Sequence, residues 1–93
     1  MCTMICERAE IEGVGKGKEG WFPLENVSVS YDHPFSAPWE YALNIDFVNE
    51  DRGLGARVAV ELSPESAKRL ADTIMEALRR GEADPQIEVS VLP

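Results

Sequence analysis

Histidine, cysteine, basic residues and long apolar runs are all scarce in this 93-residue sequence. No apolar run approaches the roughly 18 residues that a membrane-spanning helix needs, which argues against a role in the bilayer. The chain has 9 basic and 17 acidic residues and a formal net charge of −8, so its own field opposes binding to phosphate backbones or anionic lipid. We therefore expect neither a nucleic-acid partner nor a membrane partner.

The N-terminus and the cysteines indicate a compartment. Residues 1–8 lack the basic flank and the apolar core of a signal peptide, so we expect a cytoplasmic protein. Cys2 and Cys6 are then expected to be free thiols rather than a disulfide framework. The length and the apolar fraction of 44% are those of one soluble globular domain, residues 1–93, with a single modest core.

Alternation of apolar and polar residues predicts the strands of one sheet. Four such stretches lie at residues 3–12, 27–32, 43–47 and 58–62, and a fifth, at 87–92, ends the sequence. Residues 13–20 contain four glycines in eight positions, which is typical of a loop. One face of the sheet would carry polar side chains, namely Arg8, Glu10, Ser28, Ser30, Asn44, Asp46, Arg57 and Glu61.

A single helix is predicted after the fourth strand, over about residues 64–80. Ser63 is a good N-cap, Pro64 suits the first helical position, and apolar residues follow at helical spacing until Gly81, which we expect to be a left-handed cap. These elements predict an α+β fold, an antiparallel four- to five-stranded β-meander covered on one face by the helix. Because the terminal strand must bury its valines, we expect a homodimer formed through the sheet surface or that strand.

A glycine motif and a cysteine pair are the first candidate sites. Residues 15–20 match G-x-G-x-x-G, but Trp21 and Pro23 follow instead of a helix, so we interpret them as a hairpin loop rather than a nucleotide cradle. Lys16 and Lys18 remain as a weak anion contact. Cys2 and Cys6 lie roughly 13 Å apart on a strand, too far to share a metal, which favours a packed strand end or a dimer contact unless the first turn is helical.

The segment 31–41 is the third candidate, because it holds the only histidine and four of the seven aromatic residues. Asp32 and His33 point to opposite sides of a strand end, so Asp32 is a poor catalytic partner, and an Asp before His-Pro is typical of a turn. We therefore interpret the segment first as a proline-stiffened connection between strands. A ligand or partner would bind its rings, which are those of Tyr31, His33, Phe35, Trp39 and Tyr41.

Several stretches together resemble a family of small bacterial proteins of unknown function, over roughly residues 1–80. They are residues 1–3, 20–24, 31–34, 37–38, 40, 44–47 and 56–62, of which Asp-His-Pro and Asn-Ile-Asp-Phe are the most specific. The resemblance implies a pattern Asp-His-Pro-x-His-Ala-Pro-x-Glu-His, in which three imidazoles would suit a first-row metal. This chain has Ser36 and Tyr41 at two of the histidine positions, so a metal site here is lost or is completed by Cys, Glu or a second subunit.

Two functions follow from these expectations. The leading one is a small noncatalytic binding or assembly module, a homodimer that presents segment 31–41 to a ligand or partner protein and needs no cofactor. The alternative is a metal-binding protein or metal-dependent enzyme that uses a divalent metal held by His33 with Glu40, Asp46, Cys2 or Cys6.

Overall fold

The computed structural model describes residues 5–53 and 55–84. The elements are β1 (Ile5–Gly17), β2 (Gly20–Asp32), β3 (Ala42–Val48), one 3₁₀ turn (Glu50–Arg52), β4 (Arg57–Leu62) and α1 (Pro64–Ala83). Each strand pairs antiparallel with the next, in the order β1-β2-β3-β4. The predicted α+β meander is therefore confirmed with four strands, while the predicted strand at 87–92 lies outside the described residues.

The first hairpin is much longer than its composition suggests. β1 runs to Gly17 and β2 begins at Gly20, so the predicted loop at 13–20 was wrong except for the two turn residues, Lys18 and Glu19. A β-bulge between Glu10 and Gly13 shifts the register by one residue, and pairing then continues to the turn. Gly20, the first residue of β2, has φ +114°, a backbone conformation that glycine adopts without steric cost.

Glycines fit in this hairpin because side chains from the opposite strand fill the space beside them. A Cβ on Gly15 would lie 3.1 Å from a methyl carbon of Leu24, and one on Gly17 would lie 2.9 Å from the ring of Phe22. The two apolar side chains therefore occupy the space over the glycine strand. The G-x-G-x-x-G motif is a paired hairpin followed by a strand, which agrees with the hairpin interpretation and places no helix N-terminus beside it.

The strand register sorts the side chains onto two faces. Ser28 lies opposite Arg8 and Asp46, and Ser30 lies opposite Cys6 and Asn44, so the predicted polar face is confirmed. On the other face, three apolar residues of each of β2, β3 and β4 form neighbouring rows: Val27, Val29 and Tyr31; Leu43, Ile45 and Phe47; Val58, Val60 and Leu62. We call these the polar face and the apolar face.

Few residues are buried in the part of the chain that the structure describes. They are Phe22, Ala42, Ala56 and Asn49. The amide nitrogen of Asn49 donates to the carbonyl of Pro23 at 2.9 Å, and its side-chain oxygen accepts from the backbone of Asp51 at 3.1 Å. Asn49 therefore joins the β3–β4 connection to the first hairpin with both ends of its amide.

The helix starts as predicted and ends later. The hydroxyl of Ser63 accepts from the backbone of Ser66 at 3.2 Å, and Pro64 occupies the first turn. Gly81 was expected to be the C-terminal cap, but it lies within the helix. Glu82 and Ala83 follow it as helical residues, and the cap is Asp84.

Within one chain, α1 covers the sheet incompletely. It contacts β3 and β4, yet none of its residues is buried. Of the helices described, none is long and apolar enough to cross a membrane.

Candidate functional site

Glu61 of β4 holds the segment 31–41 in place. Its carboxylate accepts hydrogen bonds from three consecutive backbone amides, those of Phe35 at 2.6 Å, Ser36 at 3.0 Å and Ala37 at 2.9 Å. The bonds from Phe35 and Ser36 lower the pKa of Glu61 most, desolvation opposes them, and the bond from Ala37 makes the smallest contribution and lowers the pKa further. The segment is thus fixed onto the polar face by one ionised side chain.

His33 is fixed at the other end of the segment. Its Nδ1 lies 2.8 Å from the backbone carbonyl of Glu40, and its backbone amide donates to the carboxylate of Asp32 at 2.7 Å. Since a carbonyl only accepts, Nδ1 carries the proton in this contact, and Nε2 of the neutral ring keeps its lone pair. The bond that Asp32 accepts is local, as the turn interpretation expects.

Three rings stack where β2 ends. The ring of Tyr41 lies 5.8 Å from that of Tyr31 and 4.8 Å from that of His33, with interplanar angles of 19° and 25°. Offset stacking at such distances is favourable. The stack and the carbonyl bond of His33 together brace the two ends of the segment against each other.

Two other rings of the segment are presented to solvent. Phe35 is 97% exposed and Trp39 is 44% exposed. The Phe35 ring stands beside an open hollow of about 760 Å³, which lies between the segment, the hairpin tip at Lys18 and the polar face at Arg57. The structure therefore combines a fixed backbone with unpacked aromatic side chains.

A smaller cavity of about 230 Å³, with both polar and apolar walls and with His33 in its lining, lies between the segment and the sheet. Its lining includes Ser30, Asp32, Asn44, Asp46 and Glu61. Asn44 is one of these lining residues, and its side-chain oxygen is buried without a hydrogen-bond partner among the described residues. Charge in the cavity is partly balanced, because Arg57 bonds Asp46 at 2.8 Å.

The predicted metal ligands are not brought together within the described ranges, where no group of three or more His, Cys, Asp or Glu residues is placed to hold a metal ion. Glu40 contacts His33 through its backbone carbonyl, and the carboxylate of Asp46 is engaged by Arg57. Cys6 is exposed on β1, opposite Ser30. Cys2 lies outside the described residues.

Glu61 is the residue of this site whose role the sequence did not reveal. Its position in an alternating strand predicts only a polar face. Its three partners lie 24 to 26 residues earlier in the chain, and no local pattern signals a contact of that span.

Comparison with known proteins places the chain in a family and supplies no activity. No curated protein and no solved structure is significantly similar to it. The family model that matches residues 1–88 is described as a family of unknown function, in agreement with the resemblance found in the sequence. The chain therefore belongs to the family of unknown function DUF6295.

Proposed function

We propose that this protein is a small noncatalytic binding module, whose recognition surface is the segment 31–41. Phe35 and Trp39 are the anchors that insert into a partner, while Tyr31, His33 and Tyr41 brace the backbone that presents them. The observation that carries this proposal is the contrast at Phe35, whose side chain is 97% exposed although its own backbone amide is held by Glu61 at 2.6 Å.

A fixed backbone with exposed aromatic side chains lowers the entropic cost of binding a partner. A loop that is already ordered loses little conformational entropy on binding, so more of the contact energy appears as affinity. Aromatic residues supply most of the binding energy at many interfaces, because each buries a large apolar area with few rotatable bonds. An exposed phenylalanine on a mobile loop would lose more conformational entropy on binding. Here Glu61 orders the loop before the partner binds.

The partner class that fits best is a protein segment with an apolar side chain. The hollow beside Phe35 is lined by Phe35 and Ala37 on one side and by the cation of Lys18 on another. An apolar side chain can pack on the ring, while a neighbouring acidic or carbonyl group can meet the lysine.

Peptide selection tests the proposal directly. The immobilised protein is exposed to a random peptide library, and enriched peptides are measured in solution against wild type and variants. We expect Phe35→Ala to weaken binding by at least about tenfold, which corresponds to one well-packed aromatic anchor. Trp21→Ala is the matched control, because Trp21 is 69% exposed on the first hairpin, outside this segment.

Glu61→Gln separates the anchor from its support. It keeps Phe35 but turns one of the two acceptor oxygens into an NH₂ group, so at least one of the three amides loses its partner and the remaining bonds are weaker neutral ones. Because the ring itself remains, we expect binding to weaken less than in Phe35→Ala. A selection that enriches no peptide, or peptides that bind Phe35→Ala as well as wild type, would refute the proposal.

One observation supports the metal alternative. The bond from Nδ1 of His33 to the carbonyl of Glu40 leaves Nε2 as the ring nitrogen with a lone pair, which is the tautomer that metal-ligating histidines use. Further ligands would have to come from outside the described residues or from a second copy. Elemental analysis of untagged wild type and His33→Ala tests this alternative. It is ruled out if wild type contains no metal, or if the variant contains as much metal as wild type.

A further inference from the structure

The exposed large apolar residues of the described ranges fall into three groups. Phe35, Trp39 and Tyr41 belong to the segment 31–41. The second group lies on the strands and consists of Ile5, Val14, Trp21 and Tyr31. The third group lies on α1 and consists of Leu70, Ile74, Met75 and Leu78. The proposed function uses the first group, and from the other two groups it uses only Tyr31, which stacks on Tyr41.

The strand group shares one face of the sheet. Ile5 pairs with Tyr31, and Val14 pairs with Pro23, two residues from Trp21 along β2. Alternate residues of a strand lie on the same side, so these side chains extend the apolar face to the end of the first hairpin. This face also carries Glu7 and Lys16, which pair with Val29 and Trp21, so the exposed apolar side chains form a patch at each end of the hairpin.

The helix group forms one stripe along α1. Leu70, Ile74 and Leu78 are spaced by four residues, and their exposed fractions are 42%, 50% and 52%. Helices in proteins draw most of their stability from packing such a stripe against apolar neighbours. The 20 residues of α1 span about 30 Å, which is long enough to cross a four-stranded sheet at about 4.8 Å per strand.

The charge of α1 indicates what kind of surface it meets. The whole chain carries −8, yet α1 has four basic and four acidic residues and is neutral. All of the excess negative charge therefore lies elsewhere in the chain. A second copy, itself strongly acidic, is repelled least at this helix.

The chain exposes more surface than is expected for a monomer of its mass, and the excess is comparable to the area that a dimer interface buries. A folded monomer of 10.3 kDa is expected to expose about 5,400 Å², whereas this chain exposes 7624 Å². The difference is about 2,300 Å². When the residues outside the described ranges are counted as fully exposed and the rest is compared with a monomer of its own mass, about 600 Å² of excess remains. A standard interface buries about 800 Å² on each partner, which lies between these bounds.

We propose that a second copy of this chain covers both surfaces, with α1 of each copy packed across the apolar face of the other copy's sheet. A two-fold axis makes each helix-on-sheet contact twice, so one stripe and one face satisfy both protomers. The segment 31–41 is attached to the polar face through Glu61 and stays available. The interface and the segment share only Tyr31, whose ring also stacks on Tyr41, and the anchors Phe35 and Trp39 lie outside the interface.

Sedimentation velocity on the full chain tests the interface. We expect wild type to be a dimer that dissociates on dilution, over a range of about 1 mM to 1 µM. Ile74→Glu places a charge in the middle of the stripe and is expected to raise the dissociation constant at least about tenfold. Arg69→Gln, which changes the net charge by the same unit outside the stripe, is the matched control and should leave the dimer intact.

A fluorescent reporter tests the geometry. With Trp39 replaced by phenylalanine, Trp21 is the only tryptophan, and it lies on the apolar face. A partner's helix would cover it, so its emission should shift to longer wavelength on dilution and in Ile74→Glu, but not in Arg69→Gln. Wild type that sediments as a monomer at about 1 mM overturns the proposal without any variant, and so does a dimer in which Ile74→Glu changes neither mass nor emission.

Discussion

Gly17→Ala is the substitution that tests most sharply how the first hairpin is packed. The added Cβ would lie 2.9 Å from Cε1 of Phe22 and 3.3 Å from the backbone oxygen of Gly55. Both distances are shorter than ordinary carbon contacts of about 3.5 Å. Gly17 has no positive φ, so the expected effect comes from this crowding alone and not from backbone strain.

The size of the effect follows from what surrounds the new methyl group. Phe22 is only 7% exposed, so its ring cannot move aside without losing burial, and the second neighbour is backbone. Overpacking of this kind costs about 1–3 kcal/mol. At about 2 kcal/mol, Tm should fall by about 10 °C in a domain of this length.

Thermal unfolding followed by circular dichroism measures this, with two other glycines of β1 as internal controls. At Gly13 a Cβ meets nothing within 4 Å, so Gly13→Ala should be neutral or slightly stabilising. At Gly15 the nearest atom is a flexible methyl of Leu24 at 3.1 Å, so Gly15→Ala should fall between the two. If the three variants unfold together, or Gly17→Ala unfolds at the temperature of wild type, then Phe22 does not occupy the space over this glycine.

Two further predictions concern Glu61 and Asn49. The pKa of Glu61 is lowered in the folded protein, so the stabilisation it provides is complete above its unfolded pKa of about 4.3 and is lost as pH falls through the lower folded pKa. In NMR spectra, the three amides that it accepts from should titrate together below that pH, and Glu61→Gln should abolish the titration; a midpoint at or above the unfolded pKa would contradict the hydrogen bonding. Asn49→Ala removes the N-cap acceptor and leaves the carbonyl of Pro23 without its donor. Because Asn49 is 3% exposed, denaturant unfolding should show a loss of about 2 kcal/mol, and an unchanged midpoint would show that water replaces the amide.

Local patterns predicted the elements whose reasons are local. Alternation identified the pairing parts of β2, β3 and β4, and Ser63 with Pro64 marked the start of α1. Composition gave a wrong prediction where side chains from another strand make up for the missing side chains of the glycines. Four glycines suggested a loop, but Phe22 and Leu24 fill the space that the glycines leave, and that compensation depends on strand pairing.

The candidate site was predictable in part for the same reason. Its aromatic residues and its histidine are neighbours in sequence, so segment 31–41 drew attention without a structure. Its anchor, Glu61, did not, because an alternating glutamate looks the same whether it faces solvent or binds three amides. The stacking of Tyr41 between Tyr31 and His33 likewise requires the ends of the segment to meet.

The sequence by itself determined the order of the elements, the two faces of the sheet and the acidic surface, since each depends on periodicity or composition along the chain. Only the tertiary structure decided that one carboxylate fixes the exposed aromatic segment, and that, among the described residues, the stripe of α1 stays exposed and the apolar face is only partly buried. Both outcomes depend on which distant surfaces meet, because burial and hydrogen bonding are settled between segments and not within them.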